Sequence, residues 1–470
     1  METKINKSTI VALLLAGSFI AILNQTLMIT AIPPIMEEMN VTANSAQWLT
    51  TVFMCVNGIM IPISAFLLER FTTRQLFISA MSIFAFGTLI AGISPNFEIL
   101  LLGRVIQSSG AGVMLPLMTT VFLMIFPKEK RGSAMGLVGL VISFAPAIGP
   151  AFSGWITSHY SWRQLFYIIL PIAIIDIIIA FFALKNVTEI TKPKVDVISI
   201  ILSSFGFGGL LYGFTSAGNL GWTDIITIIS LSVGVLSLLL FITRQLKLEH
   251  PMLEFRVFKY SLFPFAVIIG AIAFMGLIGV ETLIPLFMQD MREFTAFEAG
   301  LALLPGAFIS GIMAPIVGRV FDKIGARWLV ITGLAILTIS SFLFTSLNLE
   351  TTFTYITVLY SIRMFGLSMV MMPVQTAALN QLPTRLIPHG AAMDNTMRMI
   401  AASVGTAILV TVMTTSMKIA EQKSTIAHPD IHGANTAFIV VAMLTMIGLV
   451  LSFFVKDKQS GMKKNFKQSA

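Results

Sequence analysis

The sequence predicts an all-α, polytopic membrane protein, and three observations carry that prediction. The 470-residue chain is 56% hydrophobic but only 11% charged, whereas soluble globular domains contain about 25% charged residues. The apolar residues form continuous runs of about 20 residues, which is the length of a membrane-spanning helix. These runs lack the alternation of apolar and polar residues that is typical of a transmembrane β-barrel.

Fourteen such runs, each bounded by charge, proline or glycine, predict fourteen spans. The first run follows Lys7 and is longer than the core of a signal peptide, so we expect a retained span. The single cysteine, Cys55, excludes a disulfide framework within the chain. The predicted spans are 10–32, 47–68, 76–94, 98–124, 133–157, 164–184, 197–216, 223–243, 263–288, 298–320, 328–347, 352–375, 391–415 and 435–455.

The distribution of Lys and Arg predicts the orientation of these spans. With the N-terminus inside, most of the 30 Lys and Arg residues fall in cytoplasmic segments, including Lys4 and the C-terminal tail from Lys456. The positive-inside rule therefore predicts that both termini are cytoplasmic. We interpret the tail as solvated topogenic charge, with a lipid-headgroup site as the alternative. The net charge of +8 follows topology in this way and does not indicate nucleic-acid binding.

Two similar segments predict an internal repeat. The segment AFLLERFTTR (65–74) follows span 2, and GRVFDKIGAR (318–327) follows span 10, each in a short cytoplasmic turn. Arg104 and Arg363 also occupy matching places within spans 4 and 12. Parallel repeats of this kind build one large class of transporters, with the substrate cavity between the halves. The matched turn charges are Glu69, Arg70 and Arg74 in the first copy and Asp322, Lys323 and Arg327 in the second.

Six spans in each half leave two over, so we predict three parts. These are an N-terminal six-helix half (1–190), two inserted helices with a linker (191–260), and a C-terminal six-helix half with the basic tail (261–470). The six matched turn charges, here called the latch charges, can hold neighbouring helices together and release them during transport. The alternative is that these charges only set topology.

Several motifs, in this order and on these spans, resemble one transporter family. They are RVIQSSGAG (104–112), APAIGPAFSG (145–154), SWRQLFYIILP (161–171), LLPGAF (303–308) and the two repeated turns. Over its whole length the chain resembles the major facilitator superfamily, specifically its fourteen-span drug:proton antiporters. The segment ILNQTL (22–27) is most similar to Gram-positive multidrug and lincosamide exporters. Departures from the family pattern are Ala65, Glu69, Thr72 and Ile169, which stand where Gly, Asp, Gly and Asn are usual.

The resemblance implies a major facilitator fold and a drug exporter in a bacterial plasma membrane. The span-5 motif is similar to the one that distinguishes exporters from importers in the superfamily. We expect its prolines to bend the helix and its glycines to allow close helix approach. Ordinary enrichment of Gly and Pro in membrane helices is the alternative. The residues are Pro146, Gly149, Pro150 and Gly154.

Proton-driven export requires an acid inside the membrane, and charged residues there are functional candidates. Many fourteen-span relatives carry Asp in span 1, where this chain has Asn24, which does not titrate. We therefore expect the proton carrier elsewhere. Glu281 in span 9 is the first candidate, and Asp176 in span 6 is another. Asp394 in span 13 precedes Arg398 by one helical turn, so an ion-paired gate suits it better. A structural role is the alternative for each acid.

Polar residues in other spans are candidates for coupling and for the substrate cavity. Arg104 shares a helix face with Gln107, and its charge could tune or compete for a carboxylate; helix packing is the alternative. A methionine in the cavity would adapt to varied apolar drugs. The residues predicted to line the cavity are Asn24, Gln25, Met28, Gln107 and Arg363.

The energy source is predicted from what the sequence lacks. It contains no G-x-x-x-x-G-K-[ST] loop for ATP and no metal-binding motif. We therefore expect no enzyme, no cofactor and no bound metal, and a proton gradient as the energy source. The leading hypothesis is a monomeric, proton-coupled exporter of structurally varied apolar or cationic drugs that works by alternating access. Export of an endogenous metabolite or monovalent cation, and a non-transporting membrane sensor or scaffold, remain open alternatives.

Overall fold

The computed structural model describes residues 7–188, 190–191, 193–422 and 428–455, and every regular element within them is helical. Fourteen helices are long and apolar enough to cross a membrane, which confirms the predicted number of spans. The charges at Lys4, Lys192 and Lys423, and the basic tail from Lys456, lie outside the described residues. The helices are α1 Lys7–Met39, α2 Ala43–Arg70, α3 Thr73–Gly92, α4 Phe97–Ile125, α5 Arg131–His159, α6 Gln164–Ala183, α7 Val197–Leu220, α8 Ile225–Lys247, α9 Phe263–Leu286, α10 Ala296–Ile324, α11 Arg327–Leu343, α12 Phe353–Asn380, α13 Ile387–Gln422 and α14 Pro429–Ser452.

Several helices extend beyond their predicted spans. α1 continues through Pro33 and Pro34 to Met39, seven residues beyond the predicted end at residue 32. α13 runs without interruption from Ile387 to Gln422, although 391–415 was predicted. The prediction ended each span where the apolar run ended. A helix keeps its backbone hydrogen bonds after it leaves the hydrocarbon region, so polar residues can continue it.

Polar caps define the starts of several helices. Side chains of Thr42, Thr72, Asn96, Thr295 and Thr352 accept hydrogen bonds from backbone N–H groups in the first turn that follows each of them. These N–H groups have no partner within the helix, so a cap stabilises the start. Short elements join or extend the helices: 3₁₀ turns at Lys128–Lys130, Phe255–Lys259, Phe344–Ser346 and Thr384–Leu386, and a π-helical turn at Phe287–Met291.

Internal contacts divide the chain into two compact units. Unit 1 comprises the chain up to Phe126, Val141–Phe255 and Thr384–Ile400. Unit 2 comprises Pro127–Leu140, Arg256–Pro383 and the chain from Ala401 onward. α5 and α13 thus contribute residues to both units. The three-part division at 190/191 and 260/261 stays a prediction.

In unit 1, α4 is the central helix and packs against α1, α2 and α3, while α6 packs against α1 and α3. α7 packs against α8 and α2. The ends of α7 and α8 are joined by an ion pair, in which Arg244 Nε lies 2.8 Å from Asp196 Oδ2. The hydrogen bond from Arg244 holds the pKa of the Asp196 carboxyl below its usual range. Asp196 also caps α7 through Ser199 N.

In unit 2, α12 occupies the corresponding central position and packs against α9, α10 and α11. α14 packs against α9 and α11. Among the fourteen spans, α4 and α12 have the largest share of buried residues in their apolar stretches, 78% and 67%. Both carry one buried arginine, which places Arg104 and Arg363 in the interior of their units.

Candidate functional site

α4 carries a guanidinium at the centre of unit 1. Arg104 has no exposed surface. Its Nε donates to the Leu49 carbonyl at 3.2 Å, and its Nη1 donates to Gln107 Oε1 at 2.7 Å. Nη1 also donates to Asn24 Oδ1. The guanidinium lies over the Phe53 ring, 4.1 Å from the ring centroid.

The predicted pairing of Arg104 with Gln107 is therefore present, and the fold adds Asn24 to it. Gln107 passes the network on by donating to Thr88 Oγ1 at 2.7 Å. Within the described residues, Arg104 Nη2 has no hydrogen-bond partner. The Arg104 charge is thus surrounded by neutral oxygens and an aromatic ring. An Asp at position 24 would place a carboxylate beside it.

Asp176 lies elsewhere in unit 1, where α6 packs against α1. Its residue is 5% exposed, and Oδ2 accepts no hydrogen bond within the described residues. A Cβ atom built at Gly17 would lie 2.9 Å from Asp176 Oδ2 and 2.7 Å from Met114 Cε. The absence of a side chain at Gly17 therefore makes room for the carboxyl group.

The other cavity candidates on α1 differ in burial. Met28 is fully buried, one turn after Asn24, whereas Gln25 is partly exposed. Asn24 and Gln107 are joined through Arg104 as described, and Arg363 lies in unit 2. Their role as substrate contacts stays a prediction.

Glu281 on α9 is the predicted proton-coupling acid that lies in unit 2. Its residue is partly exposed, and Tyr360 Oη of α12 donates to Glu281 Oε1 at 3.2 Å. Arg363 follows Tyr360 by one turn and interacts electrostatically with Glu281. The guanidinium is held by Ser341 Oγ at 2.5 Å and by the Gly276 carbonyl at 3.0 Å. We call Glu281, Tyr360 and Arg363 the acid cluster.

Asp394 and Arg398 near the start of α13 form the ion pair that their spacing predicts. Arg398 Nη2 lies 3.1 Å from Asp394 Oδ2, and both side chains are almost completely buried. A carboxylate in this position is held by a cation of its own helix. The gating role of the pair stays a prediction.

The latch charges of the first repeat all contact other segments of unit 1. Glu69 Oε1 lies 2.9 Å from His389 Nε2. Because His389 Nδ1 accepts from Glu254 N at 3.3 Å, Nε2 carries the proton that it donates to Glu69. The two arginines donate to backbone carbonyls: Arg70 to Pro193 at 2.7 Å, and Arg74 to Phe181.

In the second repeat, Asp322 contacts the first turn of α5. Its Oδ1 accepts from Gly132 N at 2.7 Å, and its Oδ2 accepts from Ser133 N at 2.8 Å and from Ser133 Oγ at 2.5 Å. The N–H groups that begin a helix lack partners within it and carry partial positive charge. Asp322 therefore joins the end of α10 to the start of α5 through three hydrogen bonds.

The two repeated turns differ in backbone conformation. Gly325 ends α10 with φ of 82°, a left-handed conformation that favours glycine. The matching Thr72 has φ of −63° and caps α3 instead. This explains how the first copy can lack glycine at that position. Lys323 and Arg327 are exposed, unlike Asp322, which is partly buried.

The span-5 motif lies in the continuous helix α5, which passes through Pro146 and Pro150. A Cβ atom at Gly149 would lie 2.0 Å from Thr26 Oγ1, so α1 and α5 approach closely there, as predicted. The same prediction for Gly154 is wrong, because a Cβ at Gly154 would meet no atom of the described residues within 4 Å. Five residues after Gly149, Gly154 no longer faces α1.

We expect Gly149→Ala to destabilise the protein by about 1–3 kcal/mol, the typical cost of overpacking. Its methyl group would overlap Thr26, whereas the methyl group of Gly154→Ala would occupy open space. Melting temperatures of the two purified variants in the same detergent check this. Equal melting temperatures would show that α1 can move away from α5 without cost.

Three contacts of the site were not predicted from the sequence. Tyr360 carries a hydroxyl within an apolar span, one turn from Arg363, and that spacing was an available signal. Ser133 follows a helix start, which is a weaker signal. His389 is one of five histidines in the chain, and its partner Glu69 is 320 positions away.

Comparisons with known proteins agree with this fold. The family model of the Major Facilitator Superfamily matches residues 14–406. The chain is 43% identical to the lincomycin resistance protein LmrB of Bacillus subtilis, over 95% of each chain. It is 56% identical to the uncharacterized MFS-type transporter YcnB of Bacillus subtilis, over 97% of this chain and 96% of that one. It is 30% identical to the multidrug export protein EmrB of Haemophilus influenzae, over 83% of this chain and 78% of that one.

A solved structure shares the fold at low sequence identity. The human organic anion transporter MFSD10 matches with a TM-score of 0.70 at 12% identity, covering 95% of this chain and 99% of that chain. The family model covers most of the chain, and full-length bacterial relatives are transporters of the same family. The chain therefore belongs to the Major Facilitator Superfamily and is a multi-pass transporter of the bacterial plasma membrane.

Proposed function

We propose that the protein is a proton-coupled antiporter that exports structurally varied, mostly apolar or cationic drugs by alternating access. The acid cluster is the observation that carries the proposal. Glu281 is a carboxylate within a membrane-spanning helix, and such residues mark ion and proton pathways. Its residue is partly exposed, whereas Asp176 and Asp394 are buried, and its carboxylate is hydrogen-bonded to Tyr360 of a second helix.

The contacts of Glu281 give protonation a mechanical consequence. As a carboxylate, Glu281 accepts the Tyr360 hydrogen bond and is attracted by Arg363. As a neutral acid, it keeps at most a hydrogen bond and loses the attraction to the guanidinium. Each proton therefore changes the strength with which α9 is held against α12. Drug binding would act on the same equilibrium in the opposite direction.

The relatives support the substrate class. LmrB of Bacillus subtilis is named for lincomycin resistance and EmrB of Haemophilus influenzae for multidrug export. We extend both properties to this chain, with lincomycin and a cationic dye such as ethidium as the first substrates to test. The contact of Asp322 with α5 and those of Glu69, Arg70 and Arg74 within unit 1 are connections that can break and re-form during the cycle.

The test is reconstitution of the purified protein in liposomes that contain a pH-sensitive dye. We expect an imposed proton gradient to drive ethidium or lincomycin transport, and the drug to stimulate proton movement. Drug transport that persists when an uncoupler collapses the gradient would exclude proton coupling. Proton movement that no drug stimulates would favour a metabolite or cation substrate, and transport of neither would favour a sensor or scaffold.

Asn24→Asp should add a further acid to the three predicted within the spans, Asp176, Glu281 and Asp394. The new carboxylate would lie beside Arg104, whose Nη1 already reaches position 24. Because Asp binds and releases a proton and Asn does not, we expect more protons to move for each ethidium molecule exported. The proton-to-drug ratio in the same liposomes checks this, with Asn24→Gln as the uncharged control. An unchanged ratio would show that an acid beside Arg104 stays in one protonation state.

A further inference from the structure

A crevice at the surface of unit 1 lies apart from the acid cluster to which proton coupling is assigned above. It lies where α3 begins and α6 ends, which is the face predicted to be cytoplasmic, and its volume is about 680 Å³. This is within the 300–1,000 Å³ range of small-molecule sites. The span of α3 begins here and the span of α6 ends here, so the crevice lies at the depth of lipid headgroups rather than acyl chains.

The lining of the crevice is cationic and polar on one side. Arg74 is partly buried and Lys185 is exposed, and the exposed side chains of Gln75 and Ser79 add an amide and a hydroxyl. Among the described residues that line the crevice, none is acidic. Arg74 donates through Nη2 to the Phe181 carbonyl. A guanidinium has five N–H donors, so this bond leaves donors for an anion.

The other side of the crevice is apolar and continues into the lipid-facing surface of α6. Ile78 and Phe181 form its apolar wall, and the Phe181 ring lies 4.8 Å from the Arg74 guanidinium carbon. Phe182 is 82% exposed and Ile178 is 51% exposed. A ligand with an anionic head and a long apolar tail would match both sides, whereas a free anion would match only the first.

We propose that this crevice binds the headgroup of an anionic phospholipid of the inner leaflet. Its phosphate lies between Arg74 and Lys185, its headgroup hydroxyls reach Gln75 and Ser79, and its acyl chains follow the exposed face of α6. Basic pockets at the cytoplasmic ends of membrane helices recognise anionic headgroups in this way, and each cation near the surface contributes to binding.

Bound lipid would act on a segment that the transporter also uses. Arg74 ends the repeated turn 65–74, whose Glu69 and Arg70 hold His389 and the Pro193 carbonyl. A phosphate on Arg74 would fix the last residue of that turn against α6. The proposal does not depend on which substrate the protein exports.

The experiment measures lipid retained by the purified full-length protein, by mass spectrometry of the intact protein released from detergent. Phosphatidylglycerol and phosphatidylcholine are offered together. We expect phosphatidylglycerol to be preferred, with affinity about five-fold weaker in Lys185→Gln and about thirty-fold weaker in Arg74→Gln/Lys185→Gln, as one and two surface cations predict. Lys247→Gln, which removes an exposed lysine at the end of α8, should bind as the wild type does.

Three results would overturn the proposal. They are equal retention of phosphatidylglycerol by Lys185→Gln and Lys247→Gln, equal retention of the two lipids by the wild type, and displacement of phosphatidylglycerol by millimolar inorganic phosphate. The last result would make the crevice a site for free phosphate. Because Arg74 also holds the Phe181 carbonyl, its variant can fail to fold. In that case Lys185→Gln and the charge reversal Lys185→Glu test the proposal. We expect Lys185→Glu to lose more phosphatidylglycerol than Lys185→Gln.

Discussion

Cells that express Glu281→Gln should lose uncoupler-sensitive ethidium efflux, with export falling to the level of cells without the protein. Gln has nearly the same shape as Glu and keeps an oxygen that can accept the Tyr360 hydrogen bond, so the helix packing should survive. What it loses is the ability to take up and release a proton and the charge that attracts Arg363. The loss should therefore be of coupling rather than of folding. Ethidium fluorescence in energised cells, normalised to the amount of protein in the membrane, measures it.

The controls separate this acid from the others in the chain. Glu350→Gln changes an exposed acid outside the spans and should transport normally. Asp176→Asn and Asp394→Asn should retain uncoupler-sensitive efflux, with Asp394→Asn weakened because Arg398 loses its ion-pair partner. Normal pumping by Glu281→Gln would refute the assignment, and the proton site would then be sought at Asp394 or in the Arg104 network.

Asp322→Ala should cost the protein most of its transport and about 3 kcal/mol or more of stability. It removes all three hydrogen bonds between the end of α10 and the first turn of α5, and bonds to a charged group contribute about 1.5–3 kcal/mol each. Asp322→Asn should be intermediate, because Oδ1 can still accept from Gly132 N. Arg319→Gln is the matched control and should transport normally, since Arg319 is an exposed charge one turn earlier on α10 and is not a latch charge.

The two copies of the turn should not be equally sensitive. Glu69→Ala removes a single contact, to His389, and should cost less stability than Asp322→Ala. Melting temperatures in detergent and efflux in cells are the two measurements. If Glu69→Ala and Asp322→Ala lower the melting temperature equally, the three hydrogen bonds at the start of α5 add no more stability than the single contact of Glu69. In that case topology rather than latching explains the repeated charges.

Much of the fold could be predicted because each span is encoded locally. An apolar run of about 20 residues needs no distant partner to become a helix in lipid, so fourteen runs gave fourteen helices. The ends were less predictable. At Pro33 and Pro34, the sequence pattern indicated an end, but α1 continues to Met39, where Glu38 pairs with Arg163 and with Trp162 Nε1. Those partners are far away in sequence, and they hold the extra turns in place.

The contacts of the candidate site also differ in how well they could be predicted. The ion pair of Asp394 with Arg398 depends only on helical spacing, and it was predicted correctly. Arg104 with Asn24, and Tyr360 with Glu281, join helices that are about 80 positions apart in the chain. Such pairs depend on which helix faces bury together, and a single sequence does not give that. The error at Gly154 has the same origin, because motif membership does not reveal the face on which a glycine lies.

The pairing of α7 with α8 has a consequence for how the chain is made. The two helices meet through glycine, with a Cβ at Gly209 falling 2.9 Å from Gly234 Cα, and the Asp196–Arg244 ion pair joins their ends. This hairpin needs no residue beyond position 247 to form these contacts. A growing chain can therefore insert and pair α7 and α8 before α9 leaves the ribosome. The hairpin can then be complete while the remainder of the chain is still being synthesised.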